Sequence, residues 1–272
     1  DDGRADCRVC TRHVCPHRQY VMEPLLPYVW AGSLLFARIG SVLMLAPGWG
    51  ESAVPARFRL SIALLAVLAL APGLFGSLPT QPPTFGEALF LIIGEVLIGL
   101  MMGAAARMFM AAASIAGQVT AMHTGLAFAM QLDPMQQSQG NVLSAFFSLI
   151  AVVVVLAAGV HRWMLEGAVE SYSMFPPGNY PDMADVAEYG VRAFVETFRL
   201  GLQMAAPAIA FGLIFNLGLG LAARLIPQIQ IFFIALPSSV MIGLIIVMMG
   251  MGAGFLTWVN GFERFLATGG GG

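Results

Sequence analysis

The stretch GQVTAMHTGLAFAMQLDPMQQSQGN, residues 117–141, lies between two long apolar blocks and fits neither a bilayer span nor an ordinary loop. Its first half is apolar, interrupted by Gly117 and Gly125. Asp133-Pro134 then breaks a helix, because proline lacks the amide proton and restricts the residue before it. The tail, Gln136, Gln137, Ser138, Gln139, Gly140 and Asn141, is polar but uncharged. A solvated loop usually carries charge, and a bilayer span does not tolerate four amide side chains beside a proline. Two readings remain. The stretch lines a protein-walled, partly wet cavity, or it is a long loop after an interfacial helix.

Composition sets the surroundings. Of 272 residues, 58% are hydrophobic and 10% charged. Soluble domains carry roughly 25% charged residues, so this is the composition of a membrane protein. The net charge of −2 gives no reason to expect nucleic-acid binding. There is no lysine, and Cys7, Cys10 and Cys15 are the only cysteines. With His17 they supply the ligand types of a zinc site, but crowded into eleven residues rather than set in two separated pairs. Residues 1–21 therefore read as an atypical N-terminal extension, with no metal site and the native start at Met22. Residues 22–265 read as a single helical domain, and residues 266–272 as a flexible Gly-rich tail.

Apolar blocks cover residues 28–46, 60–78, 85–106, 142–160, 200–221 and 229–259, with a weaker one over 108–130. A span needs ~20 apolar residues, so the count is about six. The class is all-α and polytopic. Residues 161–199 form the one sizeable hydrophilic stretch, holding Glu166, Glu170, Asp182, Asp185, Glu188 and Glu196. It reads as a helix end, a loop and a short amphipathic helix. Basic residues fall on both parities of loop, so the positive-inside rule leaves orientation open.

Nucleophilic catalysis needs a nucleophile, a base and an orienting group. Beyond residue 21 there are two histidines, His123 and His161, in no hydrolase or metalloprotease pattern, and no phosphate-binding glycine loop. The sequence offers no catalytic residue and no cofactor motif. Arg38 and Glu95 each sit inside an apolar block, where an unpaired charge costs several kcal/mol. They read as a structural buried pair rather than a proton path, which needs more titratable groups. Gly99-x-x-x-Gly103 permits close helix approach. Seven methionines, including Met122 and Met130, cluster around the central stretch, where their flexibility suits a deformable lining.

Several blocks together carry a resemblance. These are APGWGESAVPARFRLSIALL (46–65), GEVLIGLMMGAAAR (94–107), GLAFAMQLDP (125–134) and LGLGLAARLIPQIQIFFIALP (217–237). In this order they resemble the R-subunit family of bacterial type III export gates, the FliR/SctT family, over residues 22–265. The resemblance implies a non-enzymatic core subunit of the flagellar export gate, in the bacterial inner membrane at the flagellar basal body. Its implied partners are the P, Q and B subunits, unfolded flagellar proteins in transit, and membrane lipid. It implies that some apolar helices are bent hairpins packed in a hetero-oligomer, and Pro207, Pro227 and Pro237 are suitable places for such bends. It also implies an inward, plug-like segment to which Met122, Gly125, Leu126, Phe128, Met130, Leu132, Asp133 and Pro134 belong. The competing reading is a small-solute secondary transporter, whose usual internal repeat is not evident here.

Overall fold

The structure is a computed structural model describing residues 26–48, 55–79, 84–127, 142–225 and 231–267. Among these residues there is no strand. Seven α-helices follow one another: α1 Leu26–Leu45, α2 Ala56–Leu74, α3 Phe85–His123, α4 Val142–Ala157, α5 Val160–Met174, α6 Met183–Leu225 and α7 Ile231–Ala267. A 3₁₀ turn, Phe75–Ser77, ends the α1–α2 hairpin. Five helices are long and apolar enough to cross a membrane, and the bent pair α4–α5 makes a sixth candidate. The chain is thus an all-helical, polytopic membrane protein. The readings on residues 1–21 and on Pro227 lie outside the described residues. Of the stretch 266–272, Leu266 and Ala267 belong to α7.

The longest helix on the N-terminal side, α3, is the spine. It packs on α1, α4 and α6, and α7 closes against α6. Small residues make this possible. Ala105, Ala106, Ala112, Ala113 and Ala116 are all buried, so neighbouring backbones come close where larger side chains would hold them apart. Several hydroxyls inside the apolar helices are satisfied within the same helix. Ser41 donates to the carbonyls of Ala37 and Arg38, and Thr257 to those of Ala253 and Gly254. This spares an unpaired donor in hydrocarbon. At the start of α3 the Thr84 amide donates to the Glu87 carboxylate at 3.1 Å, so Glu87 caps a helix end and does not enter the bundle.

Three boundaries differ from the sequence reading. Residues 85–106 and 108–130 are not two segments, because α3 runs unbroken through Arg107 to His123. Arg107 is exposed while Ala105, Ala106 and Phe109 on either side are buried, so its charge leaves the bundle without interrupting the helix. Likewise the amphipathic helix expected within residues 161–199 and the span at 200–221 are one 43-residue helix, α6. Its buried face, Ala193, Thr197, Leu200, Met204, Ala208 and Gly212, keeps the helical repeat across the boundary. The third is a break inside the apolar block 142–160. Pro207 and Pro237 lie inside continuous helices. The described sharp bend, 67°, falls between α4 and α5, where Gly159 takes φ 71°, a conformation that favours glycine.

At 1.5 Å per residue, α3, α6 and α7 are each about 55–65 Å long, roughly twice the ~30 Å hydrocarbon layer. The bundle therefore extends well beyond the bilayer. Much of its surface is nevertheless apolar. α2 buries only Ala63, Val67 and Ala71 and leaves Leu64, Leu65 and Leu68 exposed.

Candidate functional site

Arg38 and Glu95, singled out separately as charges in apolar blocks, come together at the α1–α3 contact. The Arg38 Nε donates to Glu95 Oε2 at 2.6 Å and Nη2 donates to Oε1 at 2.9 Å. Both side chains are 0% exposed. A guanidinium has five donors, and one carboxylate cannot satisfy them. Two more go to α5. Nη1 donates to Ser171 Oγ at 3.2 Å, and Nη2 also donates to the Phe175 carbonyl at 2.9 Å. The Tyr172 ring lies under the guanidinium at 3.9 Å, a cation–π contact. The Ser171 hydroxyl in turn donates to the Ala168 carbonyl. The Phe175 carbonyl closes the C-terminal end of α5, where the helix dipole favours a cation.

Ser171, Tyr172 and Phe175 were not anticipated from sequence. They lie at the edge of the hydrophilic stretch 161–199, and nothing in their spacing points to α1. The one available signal was numerical: a buried arginine demands more acceptors than a single glutamate offers.

Just below this node, Tyr180 of the α5–α6 connection lies against Gly94 of α3. Its hydroxyl donates to the Leu91 carbonyl at 3.2 Å, and its ring meets Phe90 edge-on at 5.3 Å. A Cβ on Gly94 would coincide with the Tyr180 ring. Burial, reinforced by the Glu95 carboxylate and opposed by Arg38, raises the Tyr180 phenol above its usual range. It therefore stays a neutral donor at physiological pH.

Gly99 and Gly103 face α1 one turn further on. A Cβ on Gly99 would collide with Ser41 Oγ and the Arg38 carbonyl, and one on Gly103 would lie 2.7 Å from Leu45 Cβ. The pair therefore sets how closely α1 approaches, and with it the registry of Arg38 and Glu95.

The central stretch is described only at its root. Met122 is exposed and Leu126 is packed against the main core. Gly125 has φ 78°. The root is wedged between α6 and α7. A Cβ on Gly212 of α6 would lie 2.6 Å from His123 Nδ1, and one on Gly243 of α7 would lie 2.5 Å from Thr124 Cγ2. Ser239 of α7 stands beside Gly125. Phe128, Met130, Leu132, Asp133 and Pro134 lie outside the described residues, as does the Cys7–Cys15 cluster. Among the described residues no group of three or more His, Cys, Asp or Glu side chains could hold a metal ion. The Arg38–Glu95 node is closed to solvent, so its chemistry is to hold charge in place.

Comparison with known proteins covers nearly the whole bundle. Flagellar biosynthetic protein FliR of Caulobacter vibrioides is 37% identical over 238 residues, covering 88% of this chain and 95% of that protein. FliR of Aquifex aeolicus is 33% identical over 232 residues, covering 85% and 89%. FliR of Escherichia coli K12 is 31% identical over 209 residues, covering 76% and 78%. The family described as bacterial export proteins, family 1, matches residues 29–265, the helical bundle from α1 almost to its last turn, and the chain belongs to that family.

Proposed function

We propose that the chain is a core subunit of the bacterial flagellar type III protein export gate, seated in the inner membrane at the basal body. As a member of an export family it is a structural component and not an enzyme. On this reading it packs with the P, Q and B subunits around a channel for unfolded flagellar proteins. The central stretch, from Met122, Gly125 and Leu126 through Phe128, Met130, Leu132, Asp133 and Pro134, projects inward and closes the idle channel.

The observation that carries the assembly reading is a mismatch at one height of the bundle. Tyr180 and the Arg38 node place the α5–α6 connection level with the first turns of α3. On the α3 flank, Phe90, Ile93 and Leu97 are exposed and apolar. On the α6 flank, Asp182, Asp185 and Glu188 are exposed and charged. Neither a plain bilayer nor plain water solvates both. Other protein chains covering the apolar flank do, and so large an exposed apolar face marks an interaction surface.

The role of Arg38 and Glu95 on this reading is structural. They fix α1, α3 and α5 in register before partners bind. The test is co-purification from a flagellated host. The tagged chain should bring down P and Q subunits, and deleting its gene should abolish filament assembly and motility. A chain recovered alone or as a homo-oligomer, in cells that still swim, would overturn the assignment.

A further inference from the structure

Beside the Arg38 node, α5, the start of α6 and the end of α7 enclose a cavity of about 250 Å³ against α3. Its floor is apolar, with Met101 and Met102 from α3 and Phe265 from α7, and the exposed Met174 of α5 stands at its edge. Its rim carries Glu170, Asp185 and Glu188, all exposed. Arg192 is the one base in the lining, and it is ion-paired with Glu188 one turn away. Three carboxylates against one guanidinium leave the rim at −2. The channel reading uses none of this.

Size and chemistry restrict the occupant. Sites for drug-sized ligands run to roughly 300–1,000 Å³, so this cavity falls below that range and has room for one large side chain. Apolar anchors in such pockets dominate protein interfaces. Methionine floors re-pack around different anchors, and an acidic rim selects cationic flanks while repelling anionic lipid headgroups. Ser171 and Phe175 line the same cavity and are held by Arg38, so this wall is ordered before anything binds, which lowers the cost of binding.

We propose that this cavity is a docking site for a basic amphipathic helix of a partner protein. One large apolar side chain seats on the methionine floor, and lysine or arginine one turn away meets Glu170, Asp185 and Glu188. The site stands independently of the channel reading, since it depends only on these side chains.

The test uses the full chain in nanodiscs of zwitterionic lipid and two labelled synthetic helices with identical leucine faces, one flanked by lysines and one by glutamates. Binding is read by fluorescence anisotropy. The lysine helix should bind and the glutamate helix should not. Gly167 lines the cavity, and a Cβ there meets only Met102 Cε, at 3.9 Å. Gly167→Leu should therefore fill the cavity without disturbing the fold and weaken binding roughly tenfold or more, with every rim charge intact. The double variant Glu170→Gln/Asp185→Asn should weaken binding by about as much and flatten its salt dependence. Equal binding of both helices, or unchanged affinity in Gly167→Leu, would mean nonspecific adsorption and overturn the proposal. Self-association of the chain that Gly167→Leu abolishes would make the occupant a second copy, and would overturn it too. If Gly167→Leu elutes as misfolded protein, unchanged affinity in the charge variant alone overturns it.

Discussion

Arg38 of α1 and Glu95 of α3 form a two-bond ion pair, 2.6 and 2.9 Å, with neither side chain reached by solvent. A pair of this kind adds little net stability over two well-packed apolar residues, because desolvating both charges offsets their attraction. What it supplies is an intolerance of separation. Here the intolerance extends to α5, since the same guanidinium holds Ser171 and the Phe175 carbonyl.

The pair predicts an asymmetric mutant cycle. Arg38→Met or Glu95→Leu alone leaves one buried charge uncompensated and should cost about 3–5 kcal/mol. The double variant Arg38→Met/Glu95→Leu should be less damaging than either single change. Thermal unfolding of the purified chain and yield of the co-purified assembly both report this. A double variant as poor as the sum of the singles would mean that the two charges act separately.

Close packing predicts a graded glycine series. Gly99→Ala should destabilise by about 1–3 kcal/mol, because its methyl meets the Arg38 carbonyl and Ser41 on a facing helix. Gly103→Ala meets Leu45 Cβ at 2.7 Å and the Val42 carbonyl at 3.3 Å, looser contacts than those at Gly99, and should cost less. Gly73→Ala, with nothing within 4 Å, should be neutral or stabilising. Midpoints of thermal unfolding in one detergent rank the three. A neutral Gly99→Ala would show that α1 can move away freely.

These two relationships show what was legible in the sequence. Arg38 and Glu95 stand out because hydrocarbon makes a lone charge expensive, and Gly99 and Gly103 because their spacing puts both on one helix face. The apolar blocks foretold α1, α2 and α4 to within a few residues. Continuity was harder. Arg107 looks like a stop inside an apolar run, yet a single exposed arginine on an alanine-faced helix costs the helix nothing. The charges at Glu188, Arg192, Glu196 and Arg199 look like a loop-side helix, yet Ala193, Thr197 and Leu200 keep the buried face in phase with the apolar half of α6. The sharp bend between two helices falls at Gly159, where the sequence has no proline. A proline announces a missing donor, whereas a glycine's positive φ is chosen by the packing around it. Ser171 and Tyr172 were illegible because only tertiary contact gives them an arginine to face.

Tyr180 predicts a local effect at the node's edge. Gly94→Ala should expel its ring from α3 and release the α5–α6 connection, read as faster protease cleavage within residues 175–182. Tyr180→Phe, which keeps the ring but loses the bond to Leu91, should cost about 0.5–1.5 kcal/mol and leave cleavage near the parent rate. The phenol titrates above its usual range, so its contribution is complete at neutral pH and is lost only as pH rises through that raised value. Loosening of the connection near pH 7 would contradict this.

The central stretch carries the last prediction. A channel wide enough for an unfolded chain must stay ion-tight when idle, so something that can move aside must fill it. Met122, Leu126, Phe128, Met130 and Leu132 offer apolar contact, and the methionines and leucines among them have many rotamers with which to re-pack around a passing chain. Asp133-Pro134 disfavours a continuous helix, so on the proposed reading there is no rigid rod to displace. Its root is a different matter. His123 and Thr124 fill glycine notches on α6 and α7, and Gly125 leaves the helix with a left-handed turn. Movement should therefore begin beyond Gly125 and leave the α3–α6–α7 packing untouched. Deleting residues 130–137 should then preserve assembly with the other gate subunits but let small ions leak. Cells overproducing the deleted gate should grow slowly and show raised conductance beside cells with the parent gate. Gly212→Leu, which strikes His123 at the root, should instead reduce assembly itself. If the deletion variant assembles normally and stays ion-tight, the seal lies in another subunit, and the apolar residues from Met122 to Leu132 serve packing alone.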